Sequence, residues 1–174
     1  MSSDRPRAET SPGASARYRS VLFICAANTA RSVMAEHLLR RELVGRGLVN
    51  AIAVRSAGIA PFARDGALIS LDTRLVLRNE GIMLGEAETS TDLRRHPELI
   101  EQADLILTMT ASQTSELWER FPAVSGRQVF TLREFAGEAG DVDDPFGQGD
   151  DVFAACLNQI KRLLPAVIER LMRG

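Results

Sequence analysis

The chain has 174 residues, with 21 Lys and Arg against 23 Asp and Glu, for a formal net charge of −2. That length suits one domain with a sizeable core, and the near-balanced charge excludes a molecule that binds polyanions as a whole, so any anion site must be local. Two cysteines exclude a disulfide scaffold and fit a reducing compartment, and no apolar run is long enough to span a bilayer.

Residues 1–20 are rich in Ser, Arg, Ala and Pro and lack the apolar centre of a signal peptide. They read as a disordered tail. Asp4 and Glu9 argue against a transit peptide, which usually avoids acids. Residues 21–174 are the expected single domain. Val21, Leu22, Phe23 and Ile24 form a continuous apolar run, the signature of a strand buried on both faces. A loop from Cys25 to Arg31 follows. Ser32 then opens a helical pattern in which Met34, Ala35, Leu38, Leu39 and Leu43 recur at helix spacing, and Gly45 ends it. Residues 51–55 read as a second strand, Ser56-Ala57-Gly58 as a turn, and residues 59–67 as a loop holding Pro61, Phe62 and Gly66. Residues 68–80 are expected to be helical with Leu71, Leu75 and Val76 inward, closed by Gly81.

Further along, the pattern predicts a short helix over 97–102, strands over 105–108 and 128–132, and a helix over 112–120. A glycine-rich loop leads to a last helix. Its apolar stripe runs through Val152, Phe153, Cys156, Leu157, Ile160, Leu163, Leu164, Val167, Ile168 and Leu171, with Pro165 as a candidate kink. Strands alternate with helices and no hairpin signal appears. The expected architecture is therefore three-layer α/β, with a four-stranded parallel sheet and helices on both faces. In such sheets ligands sit outside the carboxyl ends of the strands, which directs attention to the loop after the first strand.

That loop reads Cys25-Ala26-Ala27-Asn28-Thr29-Ala30-Arg31-Ser32. Cleavage of a phosphoryl group by a thiolate needs a stabilised sulfur, a cradle for three phosphate oxygens, a tolerable leaving thiolate and a proton donor. Cys25 precedes a helix N-terminus, whose dipole and free N–H groups stabilise a thiolate. A loop that wraps on itself turns its amide N–H groups inward as an anion nest. Arg31 adds a planar fork for two oxygens, and the Ser32 hydroxyl is placed to donate to the sulfur. Ala26, Ala27 and Ala30 are small enough for close approach, and Asn28 is the non-glycine type that best tolerates a left-handed backbone. The bland alternative is an inert buried Cys at a strand end. The C-x5-R-S spacing between an apolar strand and an amphipathic helix favours the functional reading.

The proton donor is sought among Asp141, Asp143 and Asp144, where neighbouring carboxylates favour keeping one protonated. Asp150 and Asp151 fit N-terminal caps of the last helix instead. His37 and His96 lack partners at metal spacing and read as solvated. Trp118 reads as a packing residue, and Phe62 either lines the pocket mouth or packs. No metal or cofactor is expected.

The run from Cys25 to Glu36, Arg55-Ser56-Ala57-Gly58, the run from Ala103 to Met109 and the pair Asp144-Pro145 together resemble the low-molecular-weight protein tyrosine phosphatases. The likeness spans Val21 to the C-terminus. It implies Cys25 as nucleophile, Arg31 as phosphate clamp, Asp144 as general acid with Asp143 as second choice, and Ala26, Ala27, Asn28, Thr29, Ala30 and Ser32 as the phosphate loop, with Phe62 and Phe146 beside the substrate. Within the family the chain is most similar to the bacterial protein-arginine phosphatases. Thr29 stands where that branch carries threonine and tyrosine-directed members carry a larger aliphatic residue. Phe146-Gly147 stands where many tyrosine-directed members have two tyrosines, and the run from Val129 to Phe135 also resembles the arginine branch. The chain departs from the family's usual Gly at Ala27, its frequent second Cys at Ala30 and its usual Pro at Val33.

The implied activity is hydrolysis of phosphorylated protein side chains through a phosphocysteine, with phosphoarginine favoured and phosphotyrosine as the alternative. The expected partners are phosphorylated proteins, with no nucleic acid and no membrane, and the expected location is cytoplasmic; the sequence does not bear on oligomeric state. Thioredoxin-linked arsenate reductases share the loop but relay electrons through two further cysteines. Only Cys156 is present, on a buried helical stripe, which argues against that chemistry. A phospho-binding module without turnover is disfavoured by the intact set of Cys25, Arg31, Ser32 and Asp144.

Overall fold

The computed structural model describes residues 15–173. Four parallel strands, β1 (Ser20–Cys25), β2 (Ala53–Gly58), β3 (Leu105–Thr108) and β4 (Gln128–Thr131), form one sheet in the order β2-β1-β3-β4. Around it lie α1 (Arg31–Gly45), α2 (Leu71–Asn79), α3 (Glu98–Gln102), α4 (Ala111–Arg120), α5 (Leu132–Phe135) and α6 (Asp150–Met172).

The central strand shows why the sheet needs cover on both sides. Side chains alternate across a strand. Val21, Phe23 and Cys25 join the core shared with α1 and α6, while Leu22 and Ile24 join a second core with Ile100 of α3 and Leu117 of α4. An apolar run without alternation therefore records a strand sandwiched between two helical layers, and the expected three-layer architecture is the one observed.

Several local expectations need correction. β2 extends to Gly58: the expected turn Ser56-Ala57-Gly58 pairs instead with Phe23, Ile24 and Cys25 of β1. Helix α2 begins at Leu71 rather than residue 68; Thr73 and Leu77 are its buried residues and Val76 packs partly buried against the core as expected, while Leu71 and Leu75 are exposed. Leu132 belongs not to β4 but to the one-turn α5, opened by a capping box between Thr131 and Glu134. Val152 lies outside the buried stripe of α6, and the helix continues through Pro165 to Met172. The residue before α6 is Gly149, so Asp150 and Asp151 sit in the first turn, where they complement the helix dipole without capping through a side chain. Trp118 is about half exposed.

Packing also starts ahead of Val21. Tyr18 is buried edge-on against Phe135, and the amides of Arg17 and Tyr18 donate to the Leu171 carbonyl. The rest of the expected tail, residues 1–14, lies outside the described residues.

Candidate active site

Cys25 is the last residue of β1 and Arg31 the first of α1, so the loop between them lies at the carboxyl edge of the sheet, over the central strand. Its shape follows from where its carbonyls go. The Cys25 and Ala26 carbonyls accept from the amides of Ile59 and Ala60, each at 3.0 Å. The Thr29 carbonyl accepts from the Ser70 amide at 3.2 Å and the Thr73 hydroxyl at 3.0 Å, and the Ala30 carbonyl accepts from the Met34 amide. In a trans peptide the N–H points opposite the preceding C=O. With these carbonyls turned outward, the amides of Ala26, Ala27, Ala30 and Arg31 turn inward. A loop arranged in this way can serve as an anion nest.

Asn28 makes the loop possible. It alone among the described non-glycine residues has positive φ, at 59°, in the left-handed region that Asn tolerates. Its side chain fixes the loop from below. Nδ2 donates to Ser32 Oγ and to Ser56 Oγ, both at 2.8 Å, and Oδ1 accepts from the Thr91 amide at 2.8 Å. The amide's hydrogen-bonding atoms are thus all engaged, and the Thr91 donor fixes which end is oxygen. The Ser32 Oγ lies 2.9 Å from Cys25 Sγ. Because Asn28 already donates to that oxygen, the Ser32 hydrogen is free to point at the sulfur. Ser56 in turn donates to Glu36 Oε2 in a short hydrogen bond, and Glu36 pairs with Arg40 at 2.6 Å.

Above the loop is a cavity of about 300 Å³ lined by Cys25, Ala26, Ala27, Thr29, Ala30, Arg31, Phe62, Asp144 and Phe146. The loop's residues, both aromatics and Asp144 thus meet in one place. Ser32 and Asn28 are beneath it, buried. Phe62 and Phe146 are wall residues and not core ones, being 66% and 76% exposed.

Arg31 is buried, with its guanidinium donating to the Val142 carbonyl at 2.8 Å and 3.6 Å from Asp144 Oδ2. Val142 is itself buried, and its amide donates to the Met109 carbonyl at the end of β3. Through Val142 the acidic loop is therefore tied both to the sheet and to Arg31. The three carboxylates do not form one cluster. Asp141 accepts from the Ala111 amide at the start of α4, Asp143 is exposed and does not line the cavity, and only Asp144 reaches it. Asp144 Oδ1 also accepts from the Phe146 amide at 3.1 Å, which orients the carboxylate.

Four features lay outside the sequence reading. The strand end at Gly58, Ile59 and Ala60 braces the loop from one side, and Ser70 and Thr73 of α2 brace it from the other; Ser70, an N-cap type ahead of a helix, carried the local signal for the second. Cys156 is a buried core residue as expected, but it lies under the acidic loop, with Sγ 3.9 Å from the Asp143 carbonyl. Burial pushes its thiol up to about 11. His37 is not solvated: it is largely buried, burial lowers its pKa despite the nearby Glu36 and Glu88, and with them it lines a second cavity of about 410 Å³. His96 is likewise engaged, hydrogen-bonded to Asp65 and Glu98, which raise its pKa. Among the described residues no group of three His, Cys, Asp or Glu side chains is placed to hold a metal ion.

Residues 20–174 match the low molecular weight phosphotyrosine protein phosphatase family. The chain is 35% identical over 153 residues to a protein-arginine-phosphatase of Geobacillus stearothermophilus, covering 87% of this chain and 95% of that one. It is 33% identical over 153 residues to a probable low molecular weight protein-tyrosine-phosphatase, EpsP, of Ralstonia nicotianae, covering 88% and 96%. A solved YwlE arginine phosphatase mutant with a phosphorylated active-site serine superposes with a TM-score of 0.80 at 31% identity, covering 89% of this chain and 97% of that one. With a nest, a thiol and an arginine at the sheet's carboxyl edge and a match that spans nearly all the described residues, the chain belongs to the low molecular weight phosphotyrosine protein phosphatase family.

Proposed function

We propose that this protein removes phosphate from phosphorylated protein side chains, phosphoarginine ahead of phosphotyrosine, with Cys25 as nucleophile. The observation that carries the chemistry is the sulfur's setting: Cys25 Sγ is 2.9 Å from Ser32 Oγ, at the mouth of a nest of inward amides, in one cavity with Arg31 and Asp144.

The steps follow from that geometry. The inward amides and the Arg31 fork hold the three non-bridging oxygens and stabilise their charge as the phosphoryl group transfers. The Cys25 thiolate attacks phosphorus, an S–P bond forms, and the bond from phosphorus to the side-chain nitrogen or oxygen breaks. Asp144 delivers a proton to that leaving atom. Water then attacks the phosphocysteine, giving its proton to the Asp144 carboxylate, and the S–P bond breaks to return the thiolate. Ser32 eases this last step by donating to the departing sulfur. The phosphorylated serine in the related YwlE mutant supports a covalent phosphoenzyme at the position of Cys25. No step calls for a metal or cofactor.

Preference for phosphoarginine rests on Thr29, which lines the cavity beside Phe62 and Phe146. A guanidinium leaving group carries N–H donors that a threonine hydroxyl can accept. A phosphotyrosine ring offers none there and leaves the hydroxyl unpaired, a penalty that discriminates strongly when the site is enclosed. The arginine-directed relative points the same way. The test is kcat/KM on matched phosphoarginine and phosphotyrosine peptides, for wild type and Thr29→Ile. The wild type should favour phosphoarginine and the variant should shift towards phosphotyrosine. A wild type that favours phosphotyrosine refutes the arginine assignment and leaves the protein a tyrosine phosphatase of the same family. Action in the cytoplasm is part of the same proposal, supported by the two unpaired cysteines and by an active thiol that needs a reducing compartment.

A further inference from the structure

Helix α2 turns two of its three leucines away from the core. Thr73 and Leu77 face the core, while Leu71 and Leu75 are 69% and 43% exposed and Leu68, just before the helix, is 78% exposed. At a spacing of four, Leu71 and Leu75 share one face, and Leu68 lines a shallow surface cavity with Leu71. Arg74 and Glu86 border the same cavity, and exposed leucines grouped in this way on a folded domain mark an interaction site.

This surface lies next to the catalytic cavity, joined to it by hydrogen bonds from Ser70 and Thr73. The first turn of α2 is bonded directly to the cavity floor, through Ser70 and Thr73 to the Thr29 carbonyl. Leu71 follows Ser70 immediately, so the stripe starts at the rim on the Thr29 side. Phe62 and Phe146, both exposed, line that same cavity. At its far end the stripe meets carboxylates, since Leu75 shares a groove with Asp72, Asp150 and Asp151.

We propose that Leu68, Leu71 and Leu75 form a docking stripe for the phosphorylated protein itself, taking large apolar side chains that flank the phosphorylated one. The inference rests on the reading of the protein as a phosphatase of protein side chains. A peptide segment leaving the cavity over Thr29 meets Ser70 and then Leu71, because the Ser70 amide is bonded to the Thr29 carbonyl. The acids beside Leu75 favour a segment with basic side chains beyond the apolar one.

The test uses two phosphopeptides with the same phosphorylated residue, one with leucines at the flanking positions and one with serines there. p-Nitrophenyl phosphate, too small to touch the stripe, reports the catalytic cavity. In wild type the leucine peptide should have a kcat/KM about tenfold higher, the effect of burying about one apolar side chain. In Leu68→Ser/Leu71→Ser the leucine-to-serine ratio should fall to about one, while each peptide is referred to p-nitrophenyl phosphate to remove any general loss. Equal rates on the two peptides in wild type overturn the proposal, as does discrimination that survives in the variant. A concentration-dependent dimer in sedimentation that Leu71→Ser dissolves would assign the stripe to self-association and also overturn it. Turnover of p-nitrophenyl phosphate with neither peptide cleaved in any phosphorylated form would instead remove the protein-phosphatase reading on which the stripe depends.

Discussion

Gly58 offers a direct test of whether loop placement controls turnover. It closes β2 opposite Cys25, and its φ lies outside the left-handed region, so an alanine there brings no backbone strain. The obstacle is purely steric. A Cβ on Gly58 would come within 2.8 Å of the Ala26 carbonyl oxygen and of the Ala27 carbonyl carbon, where ordinary contact begins at 3.4 Å. Loop or strand must then yield by about 0.6 Å. Both colliding groups are backbone atoms of the nest, so no flexible side chain can absorb the shift. A displacement of about 1 Å at a reacting centre costs up to about a hundredfold, and amide donors act within a few tenths of an ångström. Gly58→Ala should therefore lower kcat by about tenfold, raise the inhibition constant for inorganic phosphate or vanadate in parallel, and destabilise by about 1–3 kcal/mol through overpacking. Steady-state kinetics with p-nitrophenyl phosphate, oxyanion inhibition and thermal unfolding measure the three effects. A folded Gly58→Ala protein with wild-type kcat and wild-type oxyanion affinity would refute the argument.

Cys25→Ser should abolish turnover yet still bind vanadate, because the nest and Arg31 remain; residual turnover above a thousandth of wild type would contradict the assignment. Asp144→Asn should slow substrates with poor leaving groups by about a hundredfold or more while sparing p-nitrophenyl phosphate, and the same pattern in Asp143→Asn alone would show the other carboxylate to be the acid. Peroxide should inactivate the protein with poor recovery in dithiothreitol: Ala30 supplies no neighbouring thiol, and Cys156, pushed up to about 11 by burial, stays protonated at neutral pH and resolves a sulfenic acid slowly. Full recovery after prolonged exposure would contradict this and point to Cys156 or a backbone sulfenamide as protector.

The parts of this protein that were legible in the sequence are those whose pattern has one cause. β3 needed no correction because Leu105-Ile106-Leu107-Thr108 is buried on both faces and can be nothing else. The stripe of α6, Val152 apart, was legible because its apolar residues recur at helical spacing on the one buried face. β2 was misjudged because Ser56-Ala57-Gly58 has turn chemistry; the structure keeps those residues extended so that Ser56 can accept from Asn28 and Gly58 can pass close to the loop. α2 was misjudged because leucines normally point inward. Here a threonine takes an inward place, because its hydroxyl is needed on the Thr29 carbonyl. In both cases the local rule failed where a residue serves the loop and not the core. The loop itself was legible through Cys25, Arg31 and Asn28, whose types are each demanded by chemistry or backbone. Its braces were not, since Ile59, Ala60 and Val142 act through main-chain atoms that any residue possesses.

The substitution of Ala27 for the glycine usual in the family loses its difficulty once the loop's conformation is considered. A phosphate cradle needs one left-handed residue, and here that residue is Asn28, with φ of 59°. Ala27 needs no left-handed backbone, so its methyl costs no strain. The need for close approach is met elsewhere: the glycine stands across from the loop, at Gly58, against the carbonyls of Ala26 and Ala27. Asn28 brings something that a glycine in its place could not. Its side chain donates both hydrogens, one to Ser32 and one to Ser56, and so sets the direction of the chain of hydrogen bonds running out in two arms. One arm ends with the Ser32 hydroxyl turned to the Cys25 sulfur, the other with Ser56 on Glu36. Backbone conformation and sulfur stabilisation therefore depend on a single residue, and they separate by substitution. Asn28→Gly keeps the left-handed backbone but loses the donors and the acceptor for the Thr91 amide, so it should cost about 1–3 kcal/mol of stability and lose about tenfold or more in kcat. Asn28→Ala loses both, adding about 1–2 kcal/mol of left-handed strain. Thermal unfolding beside kcat for the two variants distinguishes these effects, and a glycine variant at wild-type kcat would show that the sulfur does not depend on the Asn28 side chain.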